Sequence, residues 1–259
     1  MELKDKTVIV TGAGTGIGRA LALEFARQGA KVVCCGRRVQ KINETATLIE
    51  QEGGTPLSFP TDITQRSQVE RMVNETLKRF GEIDVLFNNA GSFQTIGGVW
   101  EVAPDLWWHD VTVNLLGAFL CIRAVLPHMM ARNGGVIINM DGGRPTGGTA
   151  YACGKAGLME LTRILVQELK REGKNVMVFS AGPGLVQTEM TELQVKTEAG
   201  RKWIPSTKEI FDAGKTRSPE EIARATIEML RIARPGLSGA SYNPDTDFTA
   251  LASRGSIDK

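Results

Sequence analysis

Residues Thr7–Gly18 read TVIVTGAGTGIG, an apolar, β-branched run followed at once by a loop with four glycines. Such a run is typical of a strand buried on both faces, and the amphipathic stretch Gly18–Gln28 that follows predicts a helix. Glycines let a backbone turn sharply and approach a pyrophosphate, while the helix N-terminus offers free N–H groups and a positive dipole end. The strand–loop–helix order therefore favours a dinucleotide-binding loop over a simple turn.

The same alternation of short apolar runs and amphipathic stretches continues along the chain. Strands are predicted at Thr7–Val10, Lys31–Cys35, Pro56–Phe59, Val85–Phe87, Val136–Asn139 and Asn175–Phe179. Helices are predicted at Gly18–Gln28, Gln40–Gln51, Ser67–Phe80, Pro104–Arg132 and Tyr151–Arg171. This rhythm predicts an α/β fold with a single doubly wound, Rossmann-type parallel sheet flanked by helices on both faces.

The chain has 259 residues, which fits one large α/β domain, and no linker, composition shift or repeat divides it. We therefore expect one dinucleotide-binding catalytic domain over residues 1–259. The exception to the rhythm is Thr188–Gly214, a polar stretch with no strand signal. Irregular excursions of this length are commonly lids, so we expect this insertion to close the substrate pocket. A plain helical insertion on the surface is the alternative.

Charge and cysteine usage exclude several classes of protein. Lysine and arginine number 31 against 29 acidic residues, for a net charge of +2, whereas a nucleic-acid-binding protein carries a large, clustered basic excess. The four cysteines form no CxxC pair, which argues against a zinc site or a disulfide framework. No apolar signal core begins the chain, and no stretch approaches about 18 uncharged apolar residues. We expect a protein of the reducing cytoplasm with no metal, nucleic-acid or membrane partner.

The chain resembles the classical short-chain dehydrogenase/reductase family over nearly its whole length. The matching motifs are Thr11–Gly18 (TGxxxGxG), Asp62, Asn88-Asn89-Ala90-Gly91, Asn114 with Gly117, Tyr151 with Lys155, and Pro183-Gly184 followed by Val186 and Thr188. Several motifs in the right order form a specific signal. The resemblance implies an NAD(P)-dependent oxidoreductase that moves hydride between nicotinamide and a carbonyl or secondary alcohol of a small organic substrate. It also implies a homodimer or homotetramer.

The resemblance assigns a cofactor-binding role to many of these residues. Asp62 is expected to bind the adenine amino group, with Ile63 beside the ring, although Asp62 alone could equally open the next helix. Val186 and Thr188 are expected to hold the nicotinamide carboxamide. The cofactor-binding set is Gly12, Gly14, Thr15, Gly16, Ile17, Gly18, Arg37, Arg38, Asp62, Ile63, Asn89, Ala90, Gly91, Tyr151, Lys155, Pro183, Gly184, Val186 and Thr188.

The end of the second predicted strand bears on the choice between NAD and NADP. An acidic residue there would take the ribose hydroxyls and repel a 2′-phosphate. This chain has Arg37 and Arg38 instead, and guanidinium groups suit a phosphate dianion. The sequence therefore predicts a preference for NADP(H), with NAD(H) as the second choice and two solvated arginines as the alternative interpretation.

Tyr151 and Lys155 lie four residues apart in a helical stretch, so they share one face. A nearby ammonium stabilises a phenolate and lowers the pKa of the phenol. By resemblance Tyr151 transfers the proton, while Lys155 lowers its pKa and binds the nicotinamide ribose. Asn114 is expected to interrupt a helix and position a relay water, and its alternative is a buried asparagine that satisfies backbone groups. The predicted catalytic residues are Tyr151, Lys155 and Asn114.

One departure from the family pattern concerns the catalytic serine after the fifth strand. The position that corresponds to it is Gly142, and the loop to Tyr151 is several residues short. A replacement donor is sought in Arg144, Thr146 or Thr149; without one, Gly142→Ser is expected to raise kcat. The competing interpretation is a non-catalytic or weakly active nucleotide-sensing protein. Candidate apolar walls of the pocket are Phe93, Trp107, Trp108 and Trp203.

Overall fold

The protein is built on one seven-stranded sheet in which all neighbouring strands are parallel. The computed structural model describes residues 1–253, so the last six residues of the predicted 1–259 domain lie outside the described part. The strands are β1 Thr7–Thr11, β2 Lys31–Gly36, β3 Thr55–Pro60, β4 Val85–Asn88, β5 Gly135–Met140, β6 Val176–Ala181 and β7 Ser241–Tyr242. They lie in the order β3-β2-β1-β4-β5-β6-β7, which confirms the predicted doubly wound, Rossmann-type sheet.

Helices connect the strands and cover both faces of the sheet. They are α1 Gly16–Arg27, α2 Val39–Gln51, α3 Arg66–Phe80, α4 Pro104–Val111, α5 Ala118–Ala131, α6 Thr149–Arg171, α7 Glu189–Lys196, α8 Glu198–Trp203, α9 Pro205–Asp212, α10 Pro219–Ile232 and α11 Phe248–Ser253. A 3₁₀ turn spans Pro235–Leu237. The five predicted helices are present, the fourth of them divided into α4 and α5, whereas α10 and α11 were not predicted.

The core consists of two apolar layers separated by the sheet. Val8 and Val10 of β1 point into a layer formed with α1, α2 and α10, whereas Ile9 points into a layer formed with α3, α5 and α6. This alternation follows from the two-residue period of a strand. Because both faces are covered, the central strands need apolar side chains at every position, which explains why TVIV has no polar alternation.

The predicted helix Pro104–Arg132 is continuous in direction but not regular. Between α4 and α5 the residues Thr112–Gly117 form a π-helix. The combined run Pro104–Ala131 is long and apolar enough to cross a membrane by length and composition, which the sequence analysis did not anticipate. Of its most apolar window, 44% is buried inside the protein.

Residues 188–214 form the three short helices α7, α8 and α9 and contain no strand, as their polar sequence predicts. The chain then returns through α10 to β7, which pairs with the end of β6 through Ser180 and Ala181. The Tyr242 hydroxyl lies 2.8 Å from the Thr226 hydroxyl in α10, so β7 is anchored to α10 by a buried hydrogen bond.

Candidate active site

A cleft of about 1420 Å³ opens at the carboxyl ends of the strands, where β1 is flanked by β2 on one side and β4 on the other. This is the point at which open α/β sheets bind ligands. Every residue of the predicted cofactor-binding set lines the cleft, together with Tyr151 and Lys155. Asn114 is the one predicted site residue that does not line it. The volume of the cleft exceeds that of an ordinary small-molecule pocket, so the cleft has room for a dinucleotide and a substrate together.

The glycine loop between β1 and α1 is shaped for close approach of a ligand. Gly12 and Gly16 have φ values of +70° and +52°, in the region where L side chains are strained. A Cβ on Gly18 would lie 2.1 Å from the carbonyl oxygen of Gly12. The loop thus holds its shape only with glycine, and the free N–H groups at the start of α1 suit a pyrophosphate. The residues present therefore fit a dinucleotide.

The end of β4 is hydrogen-bonded to the glycine loop. The Thr11 hydroxyl accepts hydrogen bonds from the backbone N–H groups of Asn89 and Ala90, each at 3.0 Å. The Asn89 side chain donates to the Thr11 carbonyl at 2.8 Å. Asn88 instead donates to Asn139 on β5 at 2.9 Å, which is a structural role. These bonds fix the wall of the cleft opposite α1.

Asp62 and Ile63 line the part of the cleft beyond β3. The Asp62 Oδ1 atom accepts hydrogen bonds from the backbone N–H and the hydroxyl of Thr64, at 2.9 and 2.8 Å. Asp62 therefore does stabilise a turn, while its Oδ2 atom has no hydrogen-bond partner in residues 1–253. Ile63 packs against Gly117, where a Cβ would lie 2.5 Å from its Cδ1 atom. The apolar surface of Ile63 suits an aromatic ring.

The two arginines after β2 differ in their contacts. Arg38 donates to Glu189 at 2.8 Å and to the Thr15 hydroxyl at 2.9 Å. Arg37 is exposed on the rim of the cleft and makes no hydrogen bond or ion pair with any other described residue. The pairing of Arg38 with Glu189 joins residues far apart in the chain and was not foreseen from the sequence.

Tyr151 and Lys155 lie on one face of α6, as their spacing predicts. The Lys155 ammonium is 2% exposed, donates to the Met140 carbonyl at 2.7 Å and lies 5.6 Å from the centre of the Tyr151 ring. Burial lowers the pKa of Lys155 to about 8, against a smaller opposite effect of Asp141. Burial, followed by the Asp141 carboxylate, raises the pKa of Tyr151 above its ordinary value. The lowered pKa expected for Tyr151 is not found in this structure, because desolvation of the phenol has the larger effect.

The ring of Tyr151 is held by Phe93. The two rings stack with their centroids 4.6 Å apart and an interplanar angle of 11°. Phe93 itself lies in a loop that the buried Asp110 carboxylate fixes by accepting from the backbone N–H groups of Gln94 and Thr95, at 3.0 and 2.8 Å. The phenol is therefore oriented by a packed aromatic neighbour as well as by its own helix.

Asn114 lies in the π-helix, behind the cleft rather than on its surface. Its Oδ1 atom accepts from the backbone N–H of Ser92 at 3.2 Å, and its Nδ2 atom donates to the carbonyls of Ser92 and Asp110, at 2.6 and 2.8 Å. The helix is interrupted at Asn114, as the resemblance implies. The Asn114 side chain therefore acts as a buried asparagine that satisfies backbone groups, which was the alternative interpretation of this residue.

Gly142 follows β5 and lies directly against the catalytic candidate. A Cβ built on Gly142 would be 2.1 Å from the Tyr151 hydroxyl oxygen. The phenol thus occupies the space that a side chain at this position would need, and this contact argues against a gain in kcat for Gly142→Ser. Of the three candidate donors, only Arg144 lines the cleft, and it pairs with Asp141 at 3.2 Å. The Thr149 hydroxyl accepts a hydrogen bond from Trp107 Nε1 at 3.0 Å.

The walls of the substrate end of the cleft are only partly as predicted. Phe93 lines it, but the three tryptophans do not. Trp107 is hydrogen-bonded to Thr149, and Trp108 is 64% exposed on α4. Trp203 packs edge-on against Trp100. The apolar wall residues that the sequence analysis missed come from the 188–214 segment and are Met190, Leu193, Ile204 and Ile210.

No group of three or more His, Cys, Asp and Glu side chains within residues 1–253 is arranged to hold a metal ion. The cysteines in this part of the chain are free thiols.

Comparison with known proteins agrees with this geometry. Residues 6–199 match the family described as short chain dehydrogenase. An uncharacterized oxidoreductase, YxbG, of Bacillus subtilis (strain 168) is 34% identical over 96% of this chain and 90% of its own length. The 3-oxoacyl-(acyl-carrier-protein) reductase FabG of Thermotoga maritima is 33% identical over 88% of this chain and 91% of its own.

Among solved structures, a metagenomic short-chain oxidoreductase in complex with NADP superposes with a TM-score of 0.75. It is 26% identical and covers 95% of this chain and 100% of its own. The family match spans well over half of the chain, and the relatives match along nearly all of it. The chain is therefore an NAD(P)-dependent oxidoreductase that belongs to the short-chain dehydrogenase/reductase family.

Proposed function

We propose that the protein is an NADP(H)-dependent oxidoreductase that interconverts a carbonyl group and a secondary alcohol on a small organic substrate. The observation that carries the proposal is the position of Tyr151 and Lys155 on one face of α6, in the same cleft as the glycine loop. A proton donor and a dinucleotide cradle that share one cavity are what such a reaction requires.

When bound, the nicotinamide ring supplies or accepts the hydride. Tyr151 donates its hydroxyl proton to the substrate oxygen during reduction and takes it back during oxidation. The buried Lys155 ammonium, fixed by its bond to Met140, stabilises the phenolate left behind. Two of its N–H groups remain for a ribose and for a proton relay. Asn114 acts as a positioning residue that holds the Ser92 loop beside Tyr151.

Tyr151→Phe tests the assignment of the proton donor. The variant should lose hydride transfer on every substrate while its affinity for NADPH stays within a few-fold, because only one hydroxyl is removed. Tyr242→Phe is the matched control, since Tyr242 is the other tyrosine of the chain and bonds Thr226 in the core. Lys155→Ala should harm both turnover and cofactor affinity. Substantial turnover by Tyr151→Phe would mean that another group is the acid.

The NADP(H) preference rests on Arg37 and Arg38 at the rim of the cleft. A related structure is a complex with NADP, which supports the same choice, and NAD(H) is the second cofactor. Arg37→Asp should shift the ratio of kcat/KM values toward NAD(H), because a carboxylate repels a phosphate and accepts from ribose hydroxyls. An unchanged ratio would contradict the preference.

The 188–214 segment is proposed to close the substrate end of the cleft, since it contributes Met190, Leu193, Ile204 and Ile210 to the wall.

We also propose a cytoplasmic homodimer or homotetramer. Large apolar side chains are exposed on α4–α6 and the π-helix between them: Leu106, Trp108, Leu116, Phe119 and Ile164. Such a patch indicates a protein interface. Mass measurement in solution tests the oligomeric state.

A second candidate is a weakly active, nucleotide-sensing protein. The observation in its favour is the contact of Gly142 with Tyr151, which leaves no serine hydroxyl beside the phenol. Loss of one preorganised donor typically costs about 10²–10³ in kcat. A panel of ketones and alcohols with NADP(H) separates the two functions, because tight cofactor binding without turnover on any of them would favour the sensor.

A further inference from the structure

The guanidinium of Arg38 joins three elements around the adenosine end of the cleft. Its Nη1 atom donates to Glu189 Oε2 at 2.8 Å, and its Nη2 atom donates to the Thr15 hydroxyl at 2.9 Å. Thr15 precedes α1, Arg38 precedes α2, and Glu189 is the first residue of α7. A single side chain therefore ties the glycine loop to the start of the 188–214 segment.

Glu189 is held in this position by the backbone around it. Thr188 caps α7, and its hydroxyl and that of Thr191 form a reciprocal capping box. The Thr188 methyl group lies 3.1 Å from the place of a Cβ on Gly16. The start of α7 is thus seated on the glycine loop, and the Glu189 carboxylate is presented to Arg38 by a capped helix end.

A guanidinium offers the same pair of N–H donors to a carboxylate and to a phosphate. We propose that Glu189 determines cofactor specificity because its carboxylate occupies the place on Arg38 where another anion would bind. This inference rests on the proposed NADP(H) preference. In this proposal a ribose 2′-phosphate competes with Glu189 for the Arg38 guanidinium, whereas a cofactor without that phosphate leaves the ion pair intact.

Arg37 and Arg38 have different roles in this arrangement. Arg37 makes no ion pair with another described residue and can receive a phosphate directly, whereas in this proposal Arg38 exchanges Glu189 for the phosphate. Binding of NADP(H), but not of NAD(H), therefore frees the first turn of α7 and couples the choice of cofactor to the wall of the substrate pocket.

The test is the affinity of the purified protein for NADPH and NADH, measured separately by calorimetry. Glu189→Gln keeps the shape of the side chain and removes its charge. It should strengthen NADPH binding by about three- to ten-fold and leave NADH binding within about two-fold. Glu192→Gln is the matched control, since it removes the same charge from α7 but pairs with Lys196 at 2.6 Å rather than with Arg38.

A double variant shows whether the effect passes through Arg38. In an Arg38→Gln background, the gain from Glu189→Gln should disappear. An equal effect on both cofactors, a gain that persists without Arg38, or the same gain in Glu192→Gln would each overturn the proposal. If the wild type binds NADH more tightly than NADPH, the NADP(H) preference fails, yet a gain confined to NADPH in Glu189→Gln would still support the role of Glu189.

Discussion

Replacing Gly142 by alanine tests the closest steric relation in the active site. The new Cβ would lie 2.1 Å from the Tyr151 hydroxyl oxygen and 2.8 Å from the ring carbon that carries it. The phenol must then move by about 1.3 Å to reach ordinary van der Waals contact at 3.4 Å. The stack on Phe93 at 4.6 Å restricts that movement.

The size of the expected defect follows from this displacement. A misplacement of a catalytic group by about 1 Å can cost about 10²-fold in rate, so kcat of Gly142→Ala should fall by about that factor. Affinity for NADPH should stay within a few-fold, because the glycine loop and Arg37 lie at the other end of the cleft. Gly142→Ser adds the same Cβ and should behave similarly rather than gain activity.

The assay is steady-state reduction of the best available ketone, together with calorimetric titration of cofactor. Gly143→Ala is the control, since a Cβ there meets nothing within 4 Å although Gly143 lines the same cleft. A Gly142→Ala enzyme whose kcat stays within about three-fold of wild type, with Gly143→Ala equally active, would refute the steric argument.

Three further predictions concern the lysine, the glycine loop and the stacked ring. The pKa of Lys155 is about 8 in the folded protein and 10.5 ordinarily, so between these values the unfolded chain binds more protons and the contribution of this group to stability rises with pH; in denaturant unfolding, the stability of wild type relative to Lys155→Met should rise over this range by up to about 3 kcal/mol. Gly16→Val should abolish dinucleotide binding in calorimetry and lower the Tm, whereas Gly53→Val, at φ +78° with open space around it, should lower the Tm alone. Phe93→Leu should reduce kcat by about ten-fold at unchanged cofactor affinity, since it removes a stack worth about 1 kcal/mol, and an unchanged kcat would contradict the orienting role.

The central strands could be predicted because burial on both faces selects continuous β-branched runs. All six predicted strands are present, and only their ends differ by a residue or two. The strand β7 has two residues and no apolar run, so only its pairing with Ser180 and Ala181 defines it. Helix α10 had a signal that was overlooked, namely Ser218 and Glu221 as a capping box around Pro219.

The members of the candidate site could be predicted from local motifs, but their mutual orientation could not. The spacing of Tyr151 and Lys155 gives a shared helix face and says nothing of how deeply the phenol is desolvated, which is why the direction of its pKa was wrong. Likewise, no local pattern relates Glu189 to Arg38, because 151 residues separate them. Contacts of this kind depend on how the whole sheet brings loops together.

The π-helix at Thr112–Gly117 sets how the long helix tolerates changes in length. A π turn accommodates one more residue than an α turn, so α5 is rotated by about 100° relative to an uninterrupted continuation of α4. Deletion of one residue here would restore a regular helix and turn Cys121 and Val125 away from the layer they fill. The deletion would also move Asn114 out of reach of Asp110 and Ser92. Near this helix, a change in chain length is therefore tolerated in the loop before Pro104, where an inserted residue leaves both helix faces in phase.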